Sequence, residues 1–173
     1  MIRGEKVILR TVREADVQTL FELGSDFAKL GEYSPQVLRS ETVLRKNVAE
    51  NGMLSDEHTV LLIWVENQII GSITFFKAGF MDALEIGYAI YIQAERNQGY
   101  MSEALSLLVN FLFSSKKINR LQLSIIYGNL ASKRVAEKCG FQFEGILRGA
   151  IFHRGKNHDL EIFSLLRSDV VLT

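Results

Sequence analysis

Cysteine, proline and tryptophan are nearly missing from this 173-residue chain, which has one of each. The single Cys139 excludes an intramolecular disulfide, and with only three scattered histidines no spacing reads as a zinc site, so a reducing compartment and no metal are expected. Neither sign of charge is in excess: Lys plus Arg and Asp plus Glu come to 20 each. A chain without a net field has nothing to draw in a polyanion, so no nucleic-acid partner is expected. No apolar run approaches the roughly 20 residues that a membrane span needs. Met1 leads directly into alternating sequence charged at Arg3, Glu5 and Lys6, and the expectation is a soluble, cytoplasmic protein with no membrane attachment.

What the chain has is apolar material, 47% of its residues, enough for one well-filled core. Without an internal repeat, low-complexity tract or linker, residues 1–173 read as a single domain. Lys6–Arg10 reads as a strand, and Thr11 followed by Glu14 has the form of a capping box opening a helix with Val17, Leu20 and Phe21 on one face. Phe27–Arg39, which holds Gly31, Tyr33, Ser34 and Pro35, reads as a lid, and a second helix runs from about Ser40 to Gly52. His58–Val65 and Gln68–Phe76 are β-rich and separated by Glu66 and Asn67, the spacing of a tight hairpin, with a further strand over Ala83–Ile92. Met101, Ala104, Leu105, Leu108 and Leu112 then share a helix face. Leu121–Tyr127 is a strand, Asn129 caps a short helix ended by Gly140, and Phe141–Phe152 with Asn157–Leu166 close the chain as a second hairpin. The sum is a mixed α/β sheet.

The stretch Arg96, Asn97, Gln98, Gly99, Tyr100 and Met101 lies between a strand and the start of an amphipathic helix. The first N–H groups of that helix lack intrahelical partners, Gly99 lets the backbone approach an anion, and Arg96 can add a charged donor, which together suit a diphosphate. The spacing is neither that of a P-loop nor that of the three-glycine dinucleotide fingerprint.

This loop resembles that of the GNAT superfamily of N-acetyltransferases: Arg or Gln, two residues, Gly, one residue, then Gly or Ala. The departure is Met101, which either crowds the diphosphate or packs into the core. Asn129, Ser132, Gly140 and Phe141 resemble the family's next helix, and Leu84–Tyr88 its carboxylate-bearing strand. Arg154–Arg167 resembles the closing hairpin of the ribosomal-protein N-terminal acetyltransferase branch, so the likeness spans nearly the whole chain. It implies an acyl-CoA N-acyltransferase fold: a twisted, mostly antiparallel sheet with one parallel pair that splays, flanked by about four helices. It also implies acetyl-CoA as co-substrate and direct transfer of its acetyl group to a primary amine.

By the same resemblance, Arg96 to Met101 bind the diphosphate, Asn129 and Ser132 the pantetheine arm, and Glu85 stands where the family places a general base or water-positioning group, the leading candidate for a base acting directly or through water. A substrate ammonium with a pKa of about 10.4 must lose a proton before it attacks a thioester. Ile90, Tyr91 and Ile92 form the splayed strand that can offer a backbone N–H to the developing oxyanion. Ser132 and Tyr127 are the candidate acids for the leaving thiolate, with Tyr88 and Tyr91 behind them. His58, His153 and His158 read as structural or surface groups, although His153 can line the acceptor cleft, and Cys139 reads as a small buried hydrophobe.

The acceptor has no readable code: a protein N-terminal amine, a polyamine, an amino sugar or an antibiotic amine all remain open, and homodimerisation would cover an exposed sheet edge. Two rival readings stand beside the enzyme. One is a non-catalytic acyl-CoA-binding module, and the other is an interaction subunit with an unused cleft.

Overall fold

The computed structural model describes residues 1–55, 57–79 and 82–170. Twelve elements follow in order: β1 (Ile2–Arg3), β2 (Ile8–Thr11), α1 (Val17–Ser25), α2 (Glu41–Asn51), β3 (His58–Val65), β4 (Gln68–Lys77), β5 (Ala83–Ile90), α3 (Tyr100–Ser115), β6 (Arg120–Ile126), α4 (Leu130–Lys138), β7 (Gln142–His153) and β8 (Lys156–Leu166). The eight strands make one sheet in the order β1-β2-β3-β4-β5-β6-β8-β7. Among the described residues only β5 and β6 run parallel, and they pair over Ala83–Glu85 against Arg120–Gln122.

Most expected elements form where the side-chain pattern places them. The helix face of Met101, Ala104, Leu105, Leu108 and Leu112 packs against Ile63, Ile73, Leu84, Ile86, Leu121, Leu123 and Phe163 in the larger of two core clusters. The smaller cluster lies where α1 and α2 bring Val17, Leu20 and Val48 against Val60, Leu62 and Ile69 of the sheet. Glu66 and Asn67 both take positive φ, 46° and 66°, the two-residue turn whose twist matches a hairpin.

One cap lies elsewhere than expected. Thr11 is the last residue of β2, opposite Leu61, and caps nothing. Asp16 organises that corner instead, accepting the Arg13 N–H at 2.8 Å and two Arg10 guanidinium bonds at 2.6 Å. A buried carboxylate with three donors outcompetes a hydroxyl at the strand end. Ser40 caps α2 through its hydroxyl and Asn129 caps α4 by accepting the Ser132 N–H.

Candidate active site

The site begins where β5 and β6 part. Glu85 and Gln122 are the last paired residues; beyond them β5 stays on β4 as far as Ile90 opposite Gly71, while β6 follows β8 as far as Ile126 opposite Leu160. The gap opens into a cleft of about 860 Å³. It runs through the sheet. Leu84 and Ile86 belong to the core under α3, so strand alternation turns Glu85 and Gly87 to the opposite face. Asn129 and Ser132 line the cleft on the helix side. Ser72, Thr74, Glu85 and the segment Tyr33–Val37 line it on the other side, closed by Ile151–Gly155 of the last hairpin.

Glu85 is the only carboxylate among the residues lining this cleft, and Gln122 donates to its Oε2 at 3.3 Å. Ser132 is half-buried; its N–H is held by Asn129 Oδ1 at 3.2 Å and its carbonyl accepts the Tyr88 hydroxyl at 3.2 Å. Burial pushes the Tyr88 phenol far above its ordinary value, which the bond to Ser132 only partly opposes, so Tyr88 is a donor that keeps its proton. Tyr127 was the other candidate acid. It stands beyond the end of β6, 59% exposed, and is not among the residues lining the cleft. Its N–H bonds to the Asp159 carbonyl at 2.9 Å, so the backbone is held on the β8 side while the ring is left at the surface, outside the cleft where an acid for the thiolate was expected.

Tyr91 needs a similar correction. Its N–H is spent on the Ile70 carbonyl at 2.8 Å and its hydroxyl is bonded to Ser72 at 2.6 Å, so it has no backbone donor for a ligand. Alternation then points the N–H groups of Ile90 and Ile92 away from β4, toward the gap.

The loop ahead of α3 takes positive φ at Asn97 (63°) and Gly99 (83°). Its N-cap Gly99 has no side chain to cap α3, and the first N–H groups of this 16-residue helix have no intrahelical partner. Met101 is 8% exposed and packs in the core, which answers the question it posed: it does not enter the loop. Arg96 donates to the Ile90 carbonyl at 3.3 Å and lies against Gly31, holding the loop to the end of β5. Gln98 and Tyr100 face a second, smaller cavity beside Lys6.

Lys6 is a group that sequence reasoning missed. Its Nζ stands 3.9 Å from where a Cβ on Gly99 would lie, and its N–H is tied to Glu103 of α3 at 3.0 Å. No local pattern announces a cation brought over from the β1–β2 turn. His153 is buried and its Nε2–H donates to the Glu32 carbonyl at 2.7 Å, pinning the Tyr33–Val37 segment to the last hairpin. Among the described residues, no group of three or more His, Cys, Asp or Glu side chains could hold a metal ion.

The acetyltransferase (GNAT) domain family matches residues 6–142. The chain belongs to this family. As a GNAT protein it is an acyltransferase that moves the acetyl group of acetyl-CoA to a primary amine. It is 26% identical to the probable N-acetyltransferase YjcK of Bacillus subtilis, with 98% of each chain covered. It is 28% identical to the ribosomal-protein-serine acetyltransferase of Escherichia coli over 93% of each. Among solved structures, a RimL ribosomal L7/L12 alpha-N-protein acetyltransferase in complex with coenzyme A superposes with a TM-score of 0.82 at 26% identity, over 95% of this chain and 97% of that one. The mixed sheet with one parallel pair and four helices is the fold this GNAT likeness requires.

Proposed function

We propose that the chain acts as one domain that acetylates the N-terminal amine of a protein or peptide, with Glu85 as general base and Ser132 as the acid for the thiolate. The observation that carries this is the passage through the sheet, with a carboxylate on one face and a helix N-terminus bearing a hydroxyl on the other. Acetyl-CoA enters from the α3–α4 side, its diphosphate on the N–H groups of Asn97 to Met101 with Lys6 close by. Its pantetheine runs between the N–H groups of Ile90 and Ile92 and the Asn129 amide. The amine arrives on the opposite face, gives one proton to Glu85 and attacks the thioester carbonyl, forming the C–N bond; the C–S bond then breaks, the departing sulfur takes the Ser132 proton, and the second proton lost by the nitrogen restores the Ser132 hydroxyl. Arg96 keeps the loop in place through the Ile90 carbonyl.

The acceptor assignment rests on the rim. Val37 (58% exposed) and Phe152 (71%) line a cleft that has one carboxylate among its lining residues. A polyamine or aminoglycoside carries several ammonium groups and needs several acceptors, whereas a peptide N-terminus brings one charge on a partly apolar chain. The names of the ribosomal-protein relatives support the same class. The test offers acetyl-CoA with a peptide bearing a free α-amine, the same peptide blocked, spermidine and an amino sugar. Acetylation of the free peptide alone is expected, and faster turnover of spermidine would reject the assignment. The neutral net charge fits the lack of a nucleic-acid partner, and the single cysteine fits a reducing, cytoplasmic location.

Acetyl-CoA should raise the thermal stability of the protein, and each variant must be compared with its own ligand-free value. Asn129→Ala also removes a helix cap, about 1 kcal/mol by itself. Beyond that loss, Asn129→Ala and Lys6→Ala are each expected to weaken acetyl-CoA about tenfold, or ~1.4 kcal/mol of ligand stabilisation at saturation. Equal shifts in all three proteins would remove these residues from the site.

The edge strand β7 exposes Phe143, Ile146, Leu147 and Phe152, and a second copy pairing there would cover it. Light scattering at micromolar concentration is expected to give a dimer that Ile146→Lys/Leu147→Lys dissociates; a wild-type monomer would exclude it.

A further inference from the structure

Gln122 is a buried amide on a central strand, 7% exposed, between Leu121 and Leu123 of the core. Burying an amide is unfavourable unless its hydrogen bonds are met, and here both ends are met by groups that dictate its orientation. Arg120 Nη2 lies 3.1 Å from Gln122 Oε1, and a guanidinium can only donate, so the amide oxygen must face it. The amide nitrogen is thereby turned to Glu85 Oε2 at 3.3 Å, and it can only donate to that carboxylate. Arg120 is fixed in turn by Glu144, through Nη1–Oε1 at 2.7 Å and Nη2–Oε2 at 2.5 Å, with the Ser164 hydroxyl donating to Glu144 at 2.6 Å. Glu85, Gln122 and Ser164 are register partners on β5, β6 and β8, so the chain of bonds follows one row across the sheet.

We infer that Gln122, locked by the Arg120–Glu144 pair, is a positioning residue that aims the Glu85 carboxylate at the point where the amine enters the gap. The inference rests on the reading of Glu85 as base. Glu85 is the last β5 residue paired with β6, and β4 holds only its backbone, so on the side of the gap its carboxylate has the Gln122 amide as its bonded neighbour. The Gln122 donor takes one of its oxygens and leaves the other for the substrate proton. The Arg120 guanidinium, helped by the Ser164 hydroxyl, holds the Glu144 carboxyl down to about 2 against its partial burial, so the pair that fixes the amide persists at any working pH.

The test is a double-mutant cycle of Gln122→Met, which keeps the volume and removes the donor, with Glu85→Gln. Steady-state kinetics are read for both substrates, and the acetyl-CoA thermal shift serves as the fold control. Gln122→Met is expected to lower kcat on the order of tenfold with KM for acetyl-CoA unchanged, and to add nothing in the Glu85→Gln background. Glu144→Gln, a surface change that leaves the core intact, should give a smaller loss of the same kind. If Glu85→Gln is impaired while Gln122→Met behaves as wild type, or if the two losses multiply, the positioning role is overturned and the base stands. If Glu85→Gln itself turns over as wild type, the base reading falls and this inference with it.

Discussion

Glu85→Gln is expected to lower kcat/KM for the amine by about 10²- to 10³-fold at neutral pH, while the stabilisation by acetyl-CoA stays that of wild type. The substitution keeps shape and removes only the ability to take a proton. An α-amine has a pKa of about 7.7–8.0 and a lysine side chain about 10.4, so near neutrality most of the acceptor is protonated and unreactive. Glu85 is the one carboxylate lining the cleft and lies on the face away from α3, where the proton has to leave. With an α-amine the deficit should narrow as pH rises through 8, because the neutral amine then needs no base; with a lysine-like amine it should persist to about pH 10. The pH dependence therefore tests the base and the acceptor class together. A deficit of the same size at every pH would mean that Glu85 binds the amine and does not deprotonate it.

Much of this site was legible because its parts are local. An N-cap asparagine three residues before a serine, a glycine just ahead of an amphipathic helix and a two-residue gap between β-rich runs each announce themselves within a few positions, and Asn129, Gly99 and Glu66–Asn67 adopt those conformations. Met101 was ambiguous for the same reason: at a helix start, a position that faces a ligand and one that faces the core differ by a single step in angle, and its place in the core is set by α3 packing on Ile86 and Leu121. The failures are non-local. Tyr127 follows a strand whose alternation cannot say where the strand ends, and the direction of the Tyr91 N–H depends on which side β4 lies. Lys6 meets Gly99, and Arg120 meets Glu144, only because the sheet order brings them together. The polar row Glu85, Gln122 and Ser164 is invisible along the chain, since its members belong to three strands and only their register aligns them.

Asp16→Ala is expected to destabilise the protein by about 3–5 kcal/mol, the usual consequence of leaving one half of a buried ion pair behind. Arg10 and Asp16 are joined by two bonds of 2.6 Å, with side chains only 7% and 9% exposed, and the guanidinium lies 4.1 Å from the centre of the Trp64 ring. Without the carboxylate, that charge has no other acid bonded to it among the described residues. Urea unfolding should show the midpoint fall, and a change below about 1 kcal/mol would mean that water or a rearranged Arg10 replaces the pair. The pH dependence carries a sign. Burial raises the Asp16 carboxyl, but the Arg10 bonds and the Arg13 N–H outweigh it, so its folded value lies below the ordinary 3.8. Stability from such a group is fully present above the unfolded value and disappears as pH falls through the folded one. The gap between wild type and Asp16→Ala should thus be constant from pH 5 to 8 and shrink in acid below about pH 4. The same corner starts α1, which packs with α2 over β3 and β4, and the chain between these helices supplies Tyr33–Val37 to the acceptor side of the cleft. Loosening it should therefore raise KM for the amine in Asp16→Ala more than KM for acetyl-CoA, because Tyr100 of α3 and Val135 and Ala136 of α4 pack in the larger core cluster, although Arg96 touches the same segment at Gly31.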